Sequence, residues 1–328
     1  MAEAELQEVL ASHKEHLDRV KEEIAKAVVG QKETVDSVLR ALLAGGHVLL
    51  EGVPGLAKTL LVNTMSVITG SMFSRIQFTP DLLPSDIVGL TSYQREVGFY
   101  TVKGPVFANL VLADEMNRAP PKVQSALLEA MQEHQVTIGK ETFPLPKPFF
   151  VLATQNPIEQ TGTYPLPEAQ VDRFLFKLTI GYPSVEEEQK ILSRNIEVRR
   201  FADVDLKAVI TPEDILRMQE DAKQIYLDQK LERYIVSIVD ATRNPARYKV
   251  KQGHYISYGS SPRGSIGLLL GAKAECLLNA RTFVTPHDIK KVARDVLRHR
   301  IIINYEGQAE GVTPDDIIKE ILDKVPVP

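Results

Sequence analysis

Gly52-Val53-Pro54-Gly55-Leu56-Ala57-Lys58-Thr59 decides the fold. An apolar segment of strand length, His47-Val48-Leu49-Leu50-Glu51, leads into it, and Leu60 to Ile68 reads as a helix. Strand, glycine-bearing loop, Lys-Thr and helix is the layout of a phosphate site for nucleotides. Gly52 and Gly55 let the backbone turn tightly enough for its N–H groups to face phosphate oxygens. The start of the helix adds partial positive charge. Lys58 can reach the β- and γ-phosphates, and the Thr59 hydroxyl can ligate Mg²⁺. Candidate contacts therefore run from Gly52 through Val53, Pro54, Gly55, Leu56, Ala57, Lys58 and Thr59 to Leu60. Ala57 stands where the G-x-x-x-x-G-K-[ST] pattern has its last glycine. Alanine lacks only the freedom to take positive φ, so the loop survives where that position is helical. The bland alternative is a Gly/Pro turn with Lys58 as a solvated charge.

A second stretch weighs against that alternative. Asn109-Leu110-Val111-Leu112-Ala113-Asp114-Glu115 is an apolar run ending in two carboxylates. A buried strand that delivers Asp-Glu at its carboxyl edge is the partner a phosphate loop requires. Asp114 would hold Mg²⁺, directly or through water, and Glu115 would polarise the attacking water. Phe149 to Thr154 is another apolar strand, ending in Gln155-Asn156-Pro157. Asn156 can orient the lytic water or touch the γ-phosphate; it can equally form a turn before Pro157.

Further strands are expected at Ser74-Arg75-Ile76-Gln77-Phe78 and at Phe174 to Ile180. Five strands alternating with helices predict an α/β layer with a parallel sheet, binding ligand at the carboxyl ends of its strands. Two hairpins interrupt it, one within 91–107 around Glu96-Val97-Gly98 and one at 136–143 with Gly139-Lys140 at its tip. Upstream, residues 3–28 read as an amphipathic helix carrying Leu6, Val9, Leu10, Leu17, Val20, Ile24 and Val28 at helical spacing, with His13 and His16 expected to be solvated. Val29-Gly30-Gln31 then breaks the pattern, either as a plain inter-helix turn or as a backbone clamp for an adenine ring.

Gly181-Tyr182-Pro183 reads as a hinge between an α/β domain over 1–182 and a helical domain over 183–328. In the second part, Thr211-Pro212, Thr285-Pro286 and Thr313-Pro314 each pair an N-cap with proline at the first helical position and Asp three residues after the Thr. Ser184 with Glu187 makes a capping box. Ser261-Pro262-Arg263 places an arginine in the first turn of a helix, against the helix dipole. That conflict calls for an anion beside Arg263, either a ligand or a nearby carboxylate.

The 328 residues are 44% hydrophobic and 25% charged, an ordinary soluble composition with a core of useful size. A net charge of −4 weighs against a dedicated nucleic-acid binder. The single cysteine, Cys276, excludes an internal disulfide and reads as a core residue on a helix. The seven histidines show no metal-ligand spacing. The acidic start Met1-Ala2-Glu3-Ala4-Glu5 has no apolar signal region, and no apolar run approaches the roughly 18 residues that span a bilayer. A cytoplasmic protein without membrane insertion is expected.

The chain resembles the MoxR-type AAA+ ATPases. The strings that carry the resemblance are Gly52 to Thr59, Gly104-Pro105-Val106-Phe107-Ala108-Asn109 into Asp114-Glu115-Met116-Asn117-Arg118, Ala153-Thr154-Gln155-Asn156-Pro157, and Gly162-Thr163-Tyr164-Pro165-Leu166-Pro167-Glu168-Ala169-Gln170 into Asp172-Arg173-Phe174. The resemblance covers nearly the whole chain, and alanine at position 57 is common in that family. The resemblance implies a five-stranded P-loop domain with helices on both faces, followed by an all-α lid. It implies a Walker B pair at Asp114 and Glu115, sensor 1 at Asn156, an arginine finger at Arg173, sensor 2 at Arg263 and adenine contacts at Val29, Gly30 and Gln31. It further implies ATP/ADP and Mg²⁺ as cofactors, a hexameric ring with ATP at subunit interfaces, and protein partners carrying a von Willebrand factor A domain. The hairpins correspond to the helix-2 insert and the pre-sensor-1 hairpin.

Two other readings compete with an ATP-driven remodelling motor. A nucleic-acid motor would need basic hairpin tips, but these carry only Arg95, Lys103 and Lys140 beside Glu141. A nucleotide switch with little turnover fits poorly with the full set Lys58, Asp114, Glu115 and Arg173.

Overall fold

The computed structural model describes residues 3–52, 58–96, 98–156, 162–195 and 204–328. Helix α1 (Glu3–Ala27) and α2 (Lys32–Leu43) precede strand β1 (Val48–Gly52), α3 (Lys58–Ile68) and β2 (Phe73–Gln77). Next come α4 (Pro84–Val88), the hairpin β3 (Gly89–Gln94) and β4 (Gly98–Lys103), then β5 (Leu110–Asp114) and α5 (Pro121–Glu133). The hairpin β6 (Gln135–Ile138) and β7 (Glu141–Pro144) leads to β8 (Phe150–Gln155), α6 (Glu168–Val171) and β9 (Phe176–Ile180). The remainder holds α7 (Val185–Asn195), α8 (Pro212–Gln224), α9 (Gln229–Arg243), β10 (Ile256–Tyr258), α10 (Pro262–Leu278), α11 (Pro286–Leu297), β11 (Ile302–Ile303), α12 (Tyr305–Ala309) and α13 (Pro314–Lys324).

The five expected strands form one parallel sheet in the order β2-β5-β8-β1-β9. Its three central strands, β5, β8 and β1, are largely apolar on both faces because each face is covered, while the edge strands β2 and β9 carry polar residues. Val48, Leu50, Leu110, Leu112, Phe150 and Leu152 point into one core with α1, α2, α3 and the C-terminal helices. Leu49, Val111, Ala113, Val151 and Ala153 alternate into the other with Ile87, Val123 and Leu127. The C-terminal region is helical as read, with one addition. The short antiparallel ribbon of β10 and β11 was invisible to periodicity because β11 is only two residues long.

The caps form where the sequence placed them. Thr211 and Asp214, Thr285 and Asp288, and Thr313 and Asp316 each close a reciprocal capping box, and Ser184 and Glu187 exchange hydrogen bonds in the same way. Both hairpins form close to the expected ranges, the first from Gly89 to Lys103, starting two residues earlier than 91–107, and the second from Gln135 to Pro144, one residue wider at each end than 136–143. At the base of the first, a Cβ on Gly104 would stand 2.2 Å from the Ile87 carbonyl oxygen, so no larger residue fits this close backbone approach. Cys276 is buried on α10. No helix among the described residues is long and apolar enough to cross a membrane.

His13 departs from expectation. It is 8% exposed and bonds Asp221 on α8 at 2.7 Å. The buried face of α1 is Leu6, Leu10, His13, Leu17, Val20 and Ile24, so His13 fills a position in the apolar stripe rather than the solvated face.

His47, just before β1, is also buried. Its Nδ1 accepts from the Val151 N–H at 3.1 Å, which leaves Nε2–H to donate to the Met131 carbonyl at 3.2 Å. Burial pulls its pKa from 6.5 to about 4. The unfolded chain therefore binds this proton more tightly than the folded one. Stability is complete above about pH 6.5 and is lost as pH falls through about 4, by about 3 kcal/mol from this group. His299, held well below its ordinary pKa by burial, acts in the same direction. Urea midpoints measured from pH 7 to pH 4 should fall, and His47→Asn should flatten that slope.

Candidate nucleotide site

The carboxyl edge of the sheet gathers most of the expected residues. Gly52 ends β1, Asp114 ends β5 with Glu115 next, and Asn156 follows β8. Lys58 and Thr59 open α3, with Leu60 in the same turn. Val53, Pro54, Gly55, Leu56 and Ala57 lie outside the described residues. Lys58 Nζ donates to the Gly52 carbonyl at 2.6 Å, which turns the side chain back toward the end of β1. Burial lowers the Lys58 pKa, and the charges of Asp114 and Glu115 oppose that shift. The ammonium thus sits within electrostatic reach of both carboxylates.

Thr154, in the last turn of β8, organises the acidic pair. Its hydroxyl donates to Asp114 Oδ1 at 2.7 Å and accepts from the Glu115 N–H at 2.8 Å. Glu115 itself is in the left-handed region, φ 55 and ψ 47, an unusual backbone for a residue with a side chain. Its Oε2 accepts from Gln77 Nε2 at 2.8 Å and faces Arg118 Nε at 3.0 Å. Behind it, the fully buried Gln124 donates to the carbonyls of Met116, Ala119 and Tyr164, pinning the turn that follows. Arg75 on β2 pairs with Asp114 Oδ2 at 2.6 Å.

These donors fit a hard cation. Asp114 Oδ1 has one hydrogen-bond donor and keeps a second lone pair, and the Thr59 hydroxyl lies in the first turn of α3. All are oxygens, the ligand type that Mg²⁺ selects.

The adenine candidates lie near the same edge. Gly30 and Gln31 both have positive φ, 71 and 55, which turns the backbone sharply between α1 and α2. A Cβ on Gly30 would stand 2.5 Å from the Glu187 carboxylate carbon of α7, the helix that follows β9 at its carboxyl end. Val29 precedes this turn, outside any helix or strand. Asn156 is 8% exposed.

The two arginines are elsewhere. Val48 pairs with Phe176 and Gly52 with Ile180, so the start of β9 lies at the amino edge of the sheet. Arg173 precedes that start, roughly 13 Å or more of strand rise from Gly52. Its Nη1 donates to the Leu128 carbonyl of α5 at 3.0 Å rather than to Asp172 or Glu168. Arg263 is at the second position of α10, and its guanidinium faces Asp172 Oδ2 at 3.6 Å, so a carboxylate answers the dipole conflict in this state. Both arginines therefore flank Asp172 at the amino edge, away from Lys58.

Sequence reading missed Thr154, Arg75, Gln77 and Gln124. A hydroxyl inside an apolar strand beside Asp-Glu was the available signal for Thr154. Polar residues alternating on β2 (Arg75, Gln77) were the signal for the other strand pair, once β2 is known to neighbour β5.

A family model described as "ATPase family associated with various cellular activities (AAA)" matches residues 47–176, and one described as "AAA lid domain" matches residues 252–321. The chain is 47% identical to Chaperone MoxR1 of Mycobacterium tuberculosis over 98% of this chain and 85% of that protein. It is 30% identical to Protein MoxR of Methylorubrum extorquens, over 94% of each. A crystal structure from Cytophaga hutchinsonii, provisionally described as an ATPase, superposes with a TM-score of 0.91 at 48% identity, covering 98% of this chain and 97% of that one.

Proposed function

Because the chain belongs to the MoxR family of AAA+ ATPases, we propose that it binds ATP with Mg²⁺ at the carboxyl edge of its sheet and hydrolyses it to ADP and phosphate within a ring of its own copies. One observation carries this reading: Lys58, Asp114, Glu115 and Asn156 share one edge, while Arg173 and Arg263 share the other. A site split in this way is completed by a neighbouring subunit. The hexameric ring implied by the resemblance supplies that neighbour.

In this reading Lys58 leaves the Gly52 carbonyl for the phosphates. Thr59 and Asp114 hold the Mg²⁺, which when bound neutralises charge on the phosphates. Thr154 fixes the Asp114 carboxylate and the Glu115 backbone. Glu115 leaves Gln77 to accept a proton from the attacking water, which Asn156 orients. The neighbour's Arg173 and Arg263 stabilise the charge that develops during transfer. The α/β part over 1–182 carries the chemistry and the helical part over 183–328 moves as its lid.

A protein client fits better than a nucleic acid. On the β3–β4 hairpin, Tyr93 and Phe99 are 62% and 79% exposed with ring centroids 5.1 Å apart. Exposed paired aromatics without a basic stripe suit polypeptide contact. Chaperone-like remodelling, with a von Willebrand factor A domain partner, follows from the family. The test is nucleotide binding by calorimetry with and without Mg²⁺. Lys58→Ala should weaken ATP affinity about 10- to 100-fold, the loss of a charge-assisted phosphate contact. Unchanged affinity would move the site away from this loop.

A further inference from the structure

The Arg300 side chain is 3% exposed and all of its guanidinium N–H groups are spent locally. Nε donates to Asp172 Oδ1 at 2.8 Å. Nη2 donates to the carbonyls of Asp172 at 3.1 Å and Phe174 at 2.7 Å. Nη1 donates to the carbonyls of Leu175 at 3.2 Å and Val296. A guanidinium has five N–H donors, and four of these five bonds go to the segment 172–175. The other Asp172 oxygen takes the Ser261 hydroxyl at 2.9 Å and faces Arg263 at 3.6 Å. His299 adds a bond to the Phe174 carbonyl at 3.0 Å.

Burying an arginine is costly, and a packed apolar residue would stabilise the fold as well or better. What the planar fork supplies is fixed geometry. Here the loop it fixes presents Arg173, and the carboxylate it grips also holds the first turn of the helix that carries Arg263.

We propose that Arg300 and Asp172 are positioning residues that clasp Arg173 and Arg263 into one two-pronged element, which a subunit offers to its neighbour's nucleotide. This rests on the reading of Arg173 as a finger acting between subunits. The clasp joins the start of β9 to both α10 and the end of α11. A shift of those helices in one subunit therefore re-aims the prongs at the next site, and a misplacement of about 1 Å costs on the order of 10²-fold in rate.

The experiment is subunit mixing with a steady-state ATPase readout. Lys58→Ala subunits contribute prongs without nucleotide; Arg173→Ala subunits contribute nucleotide without a finger, and their mixture should recover activity. Placing Arg300→Lys, which keeps the charge but loses the fork, in the Lys58→Ala subunits should cut the recovered kcat roughly 10²-fold with KM unchanged. Placing it instead in the Arg173→Ala subunits should leave recovery intact, because those sites borrow a normal pair of prongs. Asp172→Asn, nearly isosteric, should show the same asymmetry. Equal effects on both sides, or none, would overturn the clasp while leaving the finger in place. Failure of the parent mixture to recover would overturn the finger and the clasp together. Failure of both variants to assemble would show the clasp to be a folding element and overturn its positioning role.

Discussion

Arg173→Ala subunits should bind ATP normally and hydrolyse it about 10³–10⁵-fold more slowly. The size follows from where the charge is needed. In the proposed site Lys58 would balance the ground-state phosphates, and the charge that builds on the transferred group during the reaction would need a further cation. Arg173 is at the opposite edge of the sheet from its own Lys58, so it has no route to its own nucleotide. Its hydrogen-bond acceptor, the Leu128 carbonyl, is neutral and leaves the positive charge available to an incoming phosphate. Activity of the wild type should also fall on dilution below the concentration at which copies associate, and Arg173→Ala should be rescued by subunits that lack Lys58. A purely structural Arg173, tied to the surface by a contact worth about 0–1 kcal/mol, would give neither concentration dependence nor rescue.

Glu115→Gln should keep nucleotide binding and lower turnover about 10²–10⁴-fold. The amide preserves the shape of the side chain, and its oxygen can still accept from Gln77 as Glu115 Oε2 does now. What it loses is the ability to take a proton. The left-handed backbone at this position is unaffected by the exchange, so folding and binding should be preserved. The measurement is single-turnover hydrolysis beside ATP affinity. Wild-type hydrolysis in the variant would make Glu115 a structural end to β5. A drop in affinity equal to the drop in rate would place it among the binding groups.

The sheet was legible because its central strands β1, β5 and β8 are apolar runs with both faces covered, and such runs stand out between loops rich in Gly and Pro. The strand and helix that flank the expected phosphate loop, and the Asp-Glu strand, were legible because their residues are contiguous. Thr154, Arg75 and Gln77 were not, since their importance depends on β2 and β8 lying on either side of β5, a pairing that no local pattern encodes. His13 was misjudged for a related reason: a polar residue in an apolar stripe is read as solvated until the partner, Asp221, is known. The start of β9 was placed two residues early because the carbonyls of Phe174 and Leu175 are taken by Arg300 and His299 instead of a neighbouring strand.

The helix α1 has a consequence for how the chain is made. Part of its inward face closes early against α3, but the rest closes only against elements that come much later, α8 and α10: His13 waits for Asp221, 208 residues on, and Gln7 for the Ala280 carbonyl, 273 residues on. At a synthesis rate of about 5–20 residues per second, the part of the stripe that α8 and α10 cover stays exposed for roughly 10–40 seconds after it emerges. During that interval it is an amphipathic helix with an incomplete core, the form that holdases bind and that associates with its like. A circular permutant that moves residues 3–27 behind residue 328 would deliver this helix after its partners, and should give more soluble protein where co-translational holding is limiting.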